Sequence, residues 1–422
     1  MVSAEASPCC LKEGQTKEDS TGTHSQESHM LKGNALVGQS GGPTSVINSS
    51  LQGVIQAAKA SSVIETVYGM KFGIDGFMAD QLWNLSTQSD AVVAGLSSTP
   101  SSALGSSRYK LKDADLPAVR DALERHNIRY FFLIGGNDTM DTVHRVEAYC
   151  RENGYELRGI GIPKTVDNDL FGTDHTPGYP SAARYNALCV QQSGRLARDM
   201  RKVDSFVVYQ TIGRDAGWLA AATALARKEE GDAPHLIYCP ERPFDKEAFL
   251  EDAQACIKKH GFVSVVVSEG LKYADGTPVS ASGTQDKFGN TEYGAMGGSS
   301  VGLNVHKILA EATGLRGEFQ ITESLPMCAI DRAEAADIER ANGCGKEAVR
   351  LAEAGETGFM VTIDRTDSGF TYGKAPLSSV AVRAKEMPEE MINDRGNDIT
   401  EAFMDYIRPL VTPLPEYVSL EA

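Results

Sequence analysis

Two short stretches carry the residue types that can do chemistry: Gly135-Gly136-Asn137-Asp138-Thr139 and Pro163-Lys164-Thr165-Val166-Asp167-Asn168-Asp169. The second sets two carboxylates, Asp167 and Asp169, within a few residues of an ammonium, Lys164, and a hydroxyl, Thr165. That combination suits a phosphoryl group, a Mg²⁺ ion and an attacking hydroxyl that must give its proton to a general base. The first stretch has a glycine pair that lets backbone approach a ligand closely. Its Thr139, at a helix start, is placed to cap the helix and offer amides to an anion. Taken alone, each stretch also reads as a polar turn, since Asp-Asn-Asp is ordinary turn chemistry. Their spacing, one helix apart, argues for a shared site.

The flanking residues say how they are held. Tyr130–Ile134 and Leu157–Ile162 are short apolar runs closed by Gly or Pro, which predicts buried parallel strands. Between them, Thr139 to Asn153 has helical length, with Met140, Val143, Val146 and Cys150 on one face. In a parallel sheet, ligands bind at the carboxyl ends of strands, so both loops should open onto one crevice.

Earlier in the chain, Ala35–Val37 predicts a strand, Gly38 to Thr44 a glycine loop, and Val46 to Lys59 a helix, a generic anion-binding arrangement. Gly38-Gln39-Ser40-Gly41-Gly42 also fits the G-x-S-x-G pattern of a serine-hydrolase elbow. It is followed at once by Pro43, and no acid-then-histidine pair stands out downstream, which argues against a hydrolase. Val63–Tyr68 predicts a second strand, with Gly69–Gly76 as the loop after it. Pro180–Arg201 reads as a long helix, Ser205–Gln210 and Phe262–Val267 as further buried strands, and Gly294–Gly302 as a glycine-rich opening to a helix running through Ala310. Gly358–Ile363 predicts one more strand. Alternating strands and helices of this kind point to an α/β protein.

The chain has 422 residues, enough for two or three domains, with 41% hydrophobic and 23% charged residues, as in soluble globular proteins. Its net charge of −16 argues against nonspecific nucleic-acid binding, and a polyanionic substrate would need locally concentrated Arg and Lys. No apolar run reaches membrane-spanning length. Eight scattered cysteines, without zinc-type spacing, fit a reduced, cytoplasmic compartment. Residues 1–30 are polar and lack a signal-peptide core, which predicts a disordered tail or an added leader in which Cys9 and Cys10 have no role. A dinucleotide-binding oxidoreductase would need G-x-G-x-x-G after the first strand, and that spacing is absent.

Together the two central loops resemble those of the phosphofructokinase family. That family reads Gly-Gly-Asp-(Gly or Asp)-Ser and Pro-(Gly or Lys)-Thr-Ile-Asp-Asn-Asp at these places. Asp138 with Lys164 is similar to the pyrophosphate-dependent branch, since ATP-dependent members usually carry Gly at both positions. The resemblance spans about residues 34–412. It implies two Rossmann-like lobes, both doubly wound with mostly parallel sheets. Residues 31–178 plus about 335–385 would hold the donor, and 179–334 plus the C-terminal segment the sugar phosphate.

The resemblance also implies roles. Asp167 would be the general base, ionised at neutral pH, and Lys164, Arg108 and Arg214 would stabilise the transferring charge. Gly42, Arg108, Asp138, Thr139 and Lys164 would line the donor site. Thr165, Val166, Asp167, Ile212-Gly213-Arg214 and Glu269 would bind the sugar. Asp169, with Asn137 acting through water, would position Mg²⁺; Asn137 stands where the family has an acid. A Gln-Arg pair that grips the sugar 6-phosphate falls on Pro326-Met327 here, leaving Arg316 and Arg332 as the nearest cations. The substrates implied are pyrophosphate and fructose 6-phosphate, in a homodimer or homotetramer. An inter-subunit arginine of many members falls on Ser205, with Arg201 and Lys202 as possible substitutes. The competing readings are a same-fold kinase for another acceptor, such as sedoheptulose 7-phosphate or a nucleoside, an ATP-dependent enzyme, and a noncatalytic binding paralogue.

Overall fold

The computed structural model describes residues 31–280, 300–381, 383–418 and 420. The expectations for residues 1–30 and for the start of the Gly294–Gly302 stretch lie outside the described residues.

From the start, strand and helix alternate. β1 (Gly33–Gln39), α1 (Ile47–Ala60), β2 (Ile64–Met70), α2 (Gly73–Met78), β3 (Leu82–Asn84), α3 (Asp90–Gly95) and α4 (Leu116–Arg125) lead to the central unit. That unit is β4 (Ile128–Gly135), α5 (Asn137–Glu152) and β5 (Arg158–Pro163). α6 (Tyr179–Met200) carries the chain to a second sheet of β6 (Phe206–Thr211), β7 (Leu236–Tyr238), β8 (Val263–Ser268) and β9 (Gly317–Ile321). Between these strands lie α7 (Trp218–Ala222), α8 (Lys246–His260) and α9 (Val301–Thr313). α10 (Ala335–Glu353) and the hairpin β10 (Phe359–Thr366) and β11 (Gly369–Pro376) return to the first sheet, before α11 (Leu377–Val380) and α12 (Glu401–Ile407).

The first sheet runs β11-β10-β5-β4-β1-β2-β3, and the second β7-β8-β6-β9. Only the outer strands β3 and β11 are antiparallel to their neighbours. Both faces of each sheet are covered. On the first, Val37, Phe132 and Ile162 pack with Leu51 of α1 and Ala348 of α10, while Leu36, Phe131 and Leu133 pack with Val143 of α5 and Leu123 of α4. On the second, Tyr209 and Val266 pack with Ala187 of α6 and Phe403 of α12, while Val208 and Val265 pack with Phe249 of α8 and Val305 of α9. This burial on both faces explains why the central strands read as unbroken apolar runs. The chain is thus an α/β protein with two doubly wound, mostly parallel sheets. The described residues from Leu31 onward form one compact unit.

Register brings the loops together. Gln39 lies opposite Ile134 and Gly135 opposite Pro163, so the loops after β1, β4 and β5 open side by side. Thr211 lies opposite Ser268, which does the same for the loops after β6 and β8. One expected loop is shorter than predicted: Gly73, at φ +65°, starts α2 after β2, because Ile74 and Phe77 bury against the sheet. Among the described residues, no helix is long and apolar enough to cross a membrane.

Candidate active site

Lys164 leaves β5 fully surrounded, and its Nζ donates to the carbonyl of Gly42 in the loop after β1 at 2.6 Å. Burial lowers its pKa to about 8, against the pull of Asp167 and Asp169, and nearby Arg108 lowers it further. Lys164 and Asp138 therefore do not pair with each other. Asp138 is exposed in the first turn of α5, with its carboxylate 3.8 Å from the ammonium of Lys110.

Asp167 and Asp169 flank Asn168, which is wholly buried with a left-handed backbone at φ +57°. Asparagine tolerates that conformation better than most residues. The Asp167 amide donates to Thr165 Oγ1 at 3.1 Å, and the Thr165 hydroxyl also helps hold Asp169. Burial pushes Asp167 up to about 7, with Asp169 and Glu269 adding to the rise and Arg214 and Lys164 opposing it. The expectation that Asp167 is plainly ionised at neutral pH is corrected: desolvation outweighs the two cations. Burial raises Asp169 as well.

Across the crevice, Arg214 follows β6 and Glu269 follows β8. Glu269 Oε1 accepts from the Gly213 amide at 3.3 Å. Burial raises the Glu269 carboxyl, the Gly213 amide and Arg214 pull it down, and Glu323 pushes it up. Gly270 has no room for a side chain: a Cβ there would lie 1.6 Å from the Arg214 carbonyl. That close approach holds the loops after β6 and β8 together. The electrostatic reach of Asp167 to both Glu269 and Arg214 joins the two sheets' loops into one site.

Asn137 opens α5, with its Nδ2 3.4 Å from Asp169 Oδ2 and its Oδ1 buried without a hydrogen-bond partner. An orphaned amide oxygen beside a carboxylate is a donor set that suits a hard cation such as Mg²⁺, which keeps several waters and takes few protein ligands. Among the described residues no group of three His, Cys, Asp or Glu is arranged to hold a metal by itself.

Several expected site residues are placed differently. Thr139 does not cap α5; Gly136 holds that position, and the Thr139 side chain lies where a Cβ on Gly135 would need to be, 2.1 Å from its Oγ1. Val166 puts its side chain into the core against α6 and α7, and Ile212 packs against the same cluster while only partly buried. Arg316 precedes β9, whose Gly317 pairs with Phe206, so it lies at the amino end of the sheet, opposite Arg214 and Glu269. There it pairs with Asp204 at 3.4 Å and is 79% exposed. Arg332 lies beside α6, with its guanidinium 5.4 Å from the Tyr185 ring centroid and 3.8 Å from Asp331. Met327 touches the first loop, its methyl 2.6 Å from where a Gly42 Cβ would sit. Ser205 donates its amide to Arg316 at the same far end.

Sequence reasoning missed Glu323, Lys110 and Lys385. Glu323 stands two residues past the end of β9 at φ +43°, and an acid just past a parallel strand is a usable signal. β9 itself, with two exposed residues in five, gave no apolar run to mark that strand. Lys385 carries no local signal.

The comparisons with known proteins agree with this geometry. A family model described as Phosphofructokinase matches residues 34–351. A pyrophosphate–fructose 6-phosphate 1-phosphotransferase of Halomonas elongata is 38% identical, over 90% of this chain and 92% of that protein. A sulfofructose kinase of Alkalicoccus urumqiensis is 31% identical, over 92% of this chain and 97% of that protein. The crystal structure of a pyrophosphate-dependent phosphofructokinase from Nitrosospira multiformis superposes with a TM-score of 0.82 at 36% identity, covering 92% of this chain and 94% of that one. The chain belongs to the phosphofructokinase family.

Proposed function

We propose that this chain is a pyrophosphate-dependent phosphofructokinase, moving a phosphoryl group reversibly between pyrophosphate and the C1 hydroxyl of fructose 6-phosphate. The observation that carries the reading is the meeting of Asp167 with Lys164 and Asp169 on one side and Arg214 and Glu269 on the other. The relatives' names supply the donor and acceptor.

In the forward direction the C1 oxygen attacks the near phosphorus of pyrophosphate. The new C–O–P bond forms as the bridging P–O bond breaks, phosphate leaves, and the hydroxyl proton passes to Asp167. In the reverse direction Asp167 returns that proton. A carboxyl near neutrality serves both, because either protonation state is well populated. Lys164 and Arg108, which face one another's charge, would hold the donor, and Arg214 the transferring group. Glu269 would accept from a sugar hydroxyl. Asp169 and Asn137 would hold Mg²⁺, which neutralises phosphate charge when bound. Residues 31–178 with about 335–385 form the donor side in this reading, and 179–334 with the C-terminal segment the acceptor side. A cytoplasmic homodimer or homotetramer is part of the same reading.

Donor choice follows from Asp138 and Lys164. An exposed carboxylate at 138 repels the extra phosphate and fills the space a nucleotide would need. Lys164 supplies a compact charge to pyrophosphate. A second reading concerns the acceptor alone: with Arg316 at the far end of the sheet and Met327 against Gly42, an acceptor with a different distal group is favoured over a change of donor. Initial rates with pyrophosphate or ATP against fructose 6-phosphate, sedoheptulose 7-phosphate, a sulfosugar and a nucleoside test both. Turnover with ATP in preference to pyrophosphate refutes the first, and a clear preference for fructose 6-phosphate refutes the second.

A further inference from the structure

Behind the catalytic loop lies a buried lysine that the reaction scheme does not use. Lys385 Nζ donates to the carbonyl of Asp174 at 2.5 Å, to the carbonyl of Thr173 at 3.3 Å and to Asn168 Oδ1 at 3.3 Å. Three acceptors for three ammonium protons leave none unsatisfied. The charge also sits 4.9 Å from the centre of the Trp218 ring and 6.0 Å from that of Tyr406. The Lys385 amide donates to the Asp169 carbonyl at 2.7 Å, and Leu170 bridges to Ala384. This segment, more than two hundred residues downstream, is fastened to the loop through main chain and side chain alike.

Asn168 is the point of attachment. Its Oδ1 accepts from Lys385 and from the Thr176 amide at 3.1 Å, and its Nδ2 donates to the Tyr406 hydroxyl at 2.8 Å. Tyr406 in turn donates to the Asp174 carbonyl at 2.8 Å. Asn168 is wholly buried and its two neighbours only partly, so fixing its side chain on the inner side sets the orientation of Asp167 and Asp169 on the other.

We infer that Lys385 is a positioning residue for phosphoryl transfer: with Tyr406 it clamps Asn168 in its left-handed conformation and so aims Asp167 and Asp169 into the crevice. The inference rests on the proposed reaction. Lys385 holds Asn168 together with the Thr173 and Asp174 carbonyls of the same loop, and its charge favours the Asp169 carboxylate, so losing it should lower kcat while leaving substrate affinity nearly intact.

The test compares the wild-type chain with Lys385→Met, or with Lys385→Gln should the methionine variant not fold, and with Tyr406→Phe and the corresponding double variant. The lysine variant is expected to lose about 10-fold or more in kcat, with KM for both substrates within about threefold of wild type. Tyr406→Phe loses less, and the double variant loses no more than the lysine variant alone, because both groups hold the same asparagine and the same Asp174 carbonyl. Unchanged kcat with only a lower melting temperature, or kcat losses that multiply in the double variant, overturns the inference. Absence of turnover in the wild type refutes the reaction assignment, a different failure.

Discussion

Replacing Asp167 with asparagine keeps the side chain's size and removes its ability to take a proton. Loss of a positioned general base costs roughly 10²–10⁴ in kcat, or about 3–5 kcal/mol of transition-state stabilisation. Lys164, Arg108, Arg214 and Glu269 remain, so KM for either substrate should stay within a few-fold. The structure adds a pH signature. Asp167 titrates at about 7, so forward kcat/KM in the wild type should fall below that pH as the base becomes protonated. Lys164, at about 8, should give a fall on the alkaline side as its charge is lost. Asp167→Asn should abolish the acid limb. It should also move the alkaline limb to lower pH, because Asp167 is the strongest of the charges holding the Lys164 proton in place. The assay is phosphate release at limiting substrate across the pH range, for both proteins. A mutant within about threefold of wild-type kcat, or one that keeps the acid limb, refutes the assignment of Asp167 as base.

Asp138→Gly should raise ATP use relative to pyrophosphate, and Lys164→Gly should chiefly harm pyrophosphate use; equal effects of each on the two donors would contradict the donor argument. Arg316→Ala should leave the acceptor KM unchanged, since it lies at the other end of the second sheet, and a ~10-fold rise would contradict that placement. Asp337 is wholly buried and accepts from the Gly178 amide, the Ser181 amide and the Ser181 hydroxyl at the start of α6. Asp337→Ala strands all three donors and should cost about 3 kcal/mol or more in urea unfolding, with Asp337→Asn less damaging; a loss under about 1 kcal/mol refutes the role.

The first half of the site was legible because its chemistry is local. Lys164, Thr165, Asp167 and Asp169 sit on one loop between an apolar run and a helix, and the same pattern that marks β4 and β5 as buried marks their ends as the place for ligands. Arg214 and Glu269 were singled out through the family resemblance rather than local chemistry, and the structure places them just after strands of uniformly buried residues. Distances across the chain were not legible. Arg316 and Arg332 were equally plausible by spacing, and only the pairing of Gly317 with Phe206 put the first at the wrong end. The protonation of Asp167 depended on how deeply the loop is buried, which charge spacing alone does not reveal. β9 was missed because two of its five residues are exposed, and with it went Glu323. Lys385 could not be found at all, since its partners are loop carbonyls and an amide more than two hundred residues away.

The most direct test of the account is the donor itself. Purified protein is given fructose 6-phosphate and Mg²⁺ with either pyrophosphate or ATP, and fructose 1,6-bisphosphate formation is followed. The account predicts turnover with pyrophosphate, reversal when phosphate is supplied with the bisphosphate, and almost no rate with ATP. Efficient turnover with ATP, or no bisphosphate from pyrophosphate, would contradict it.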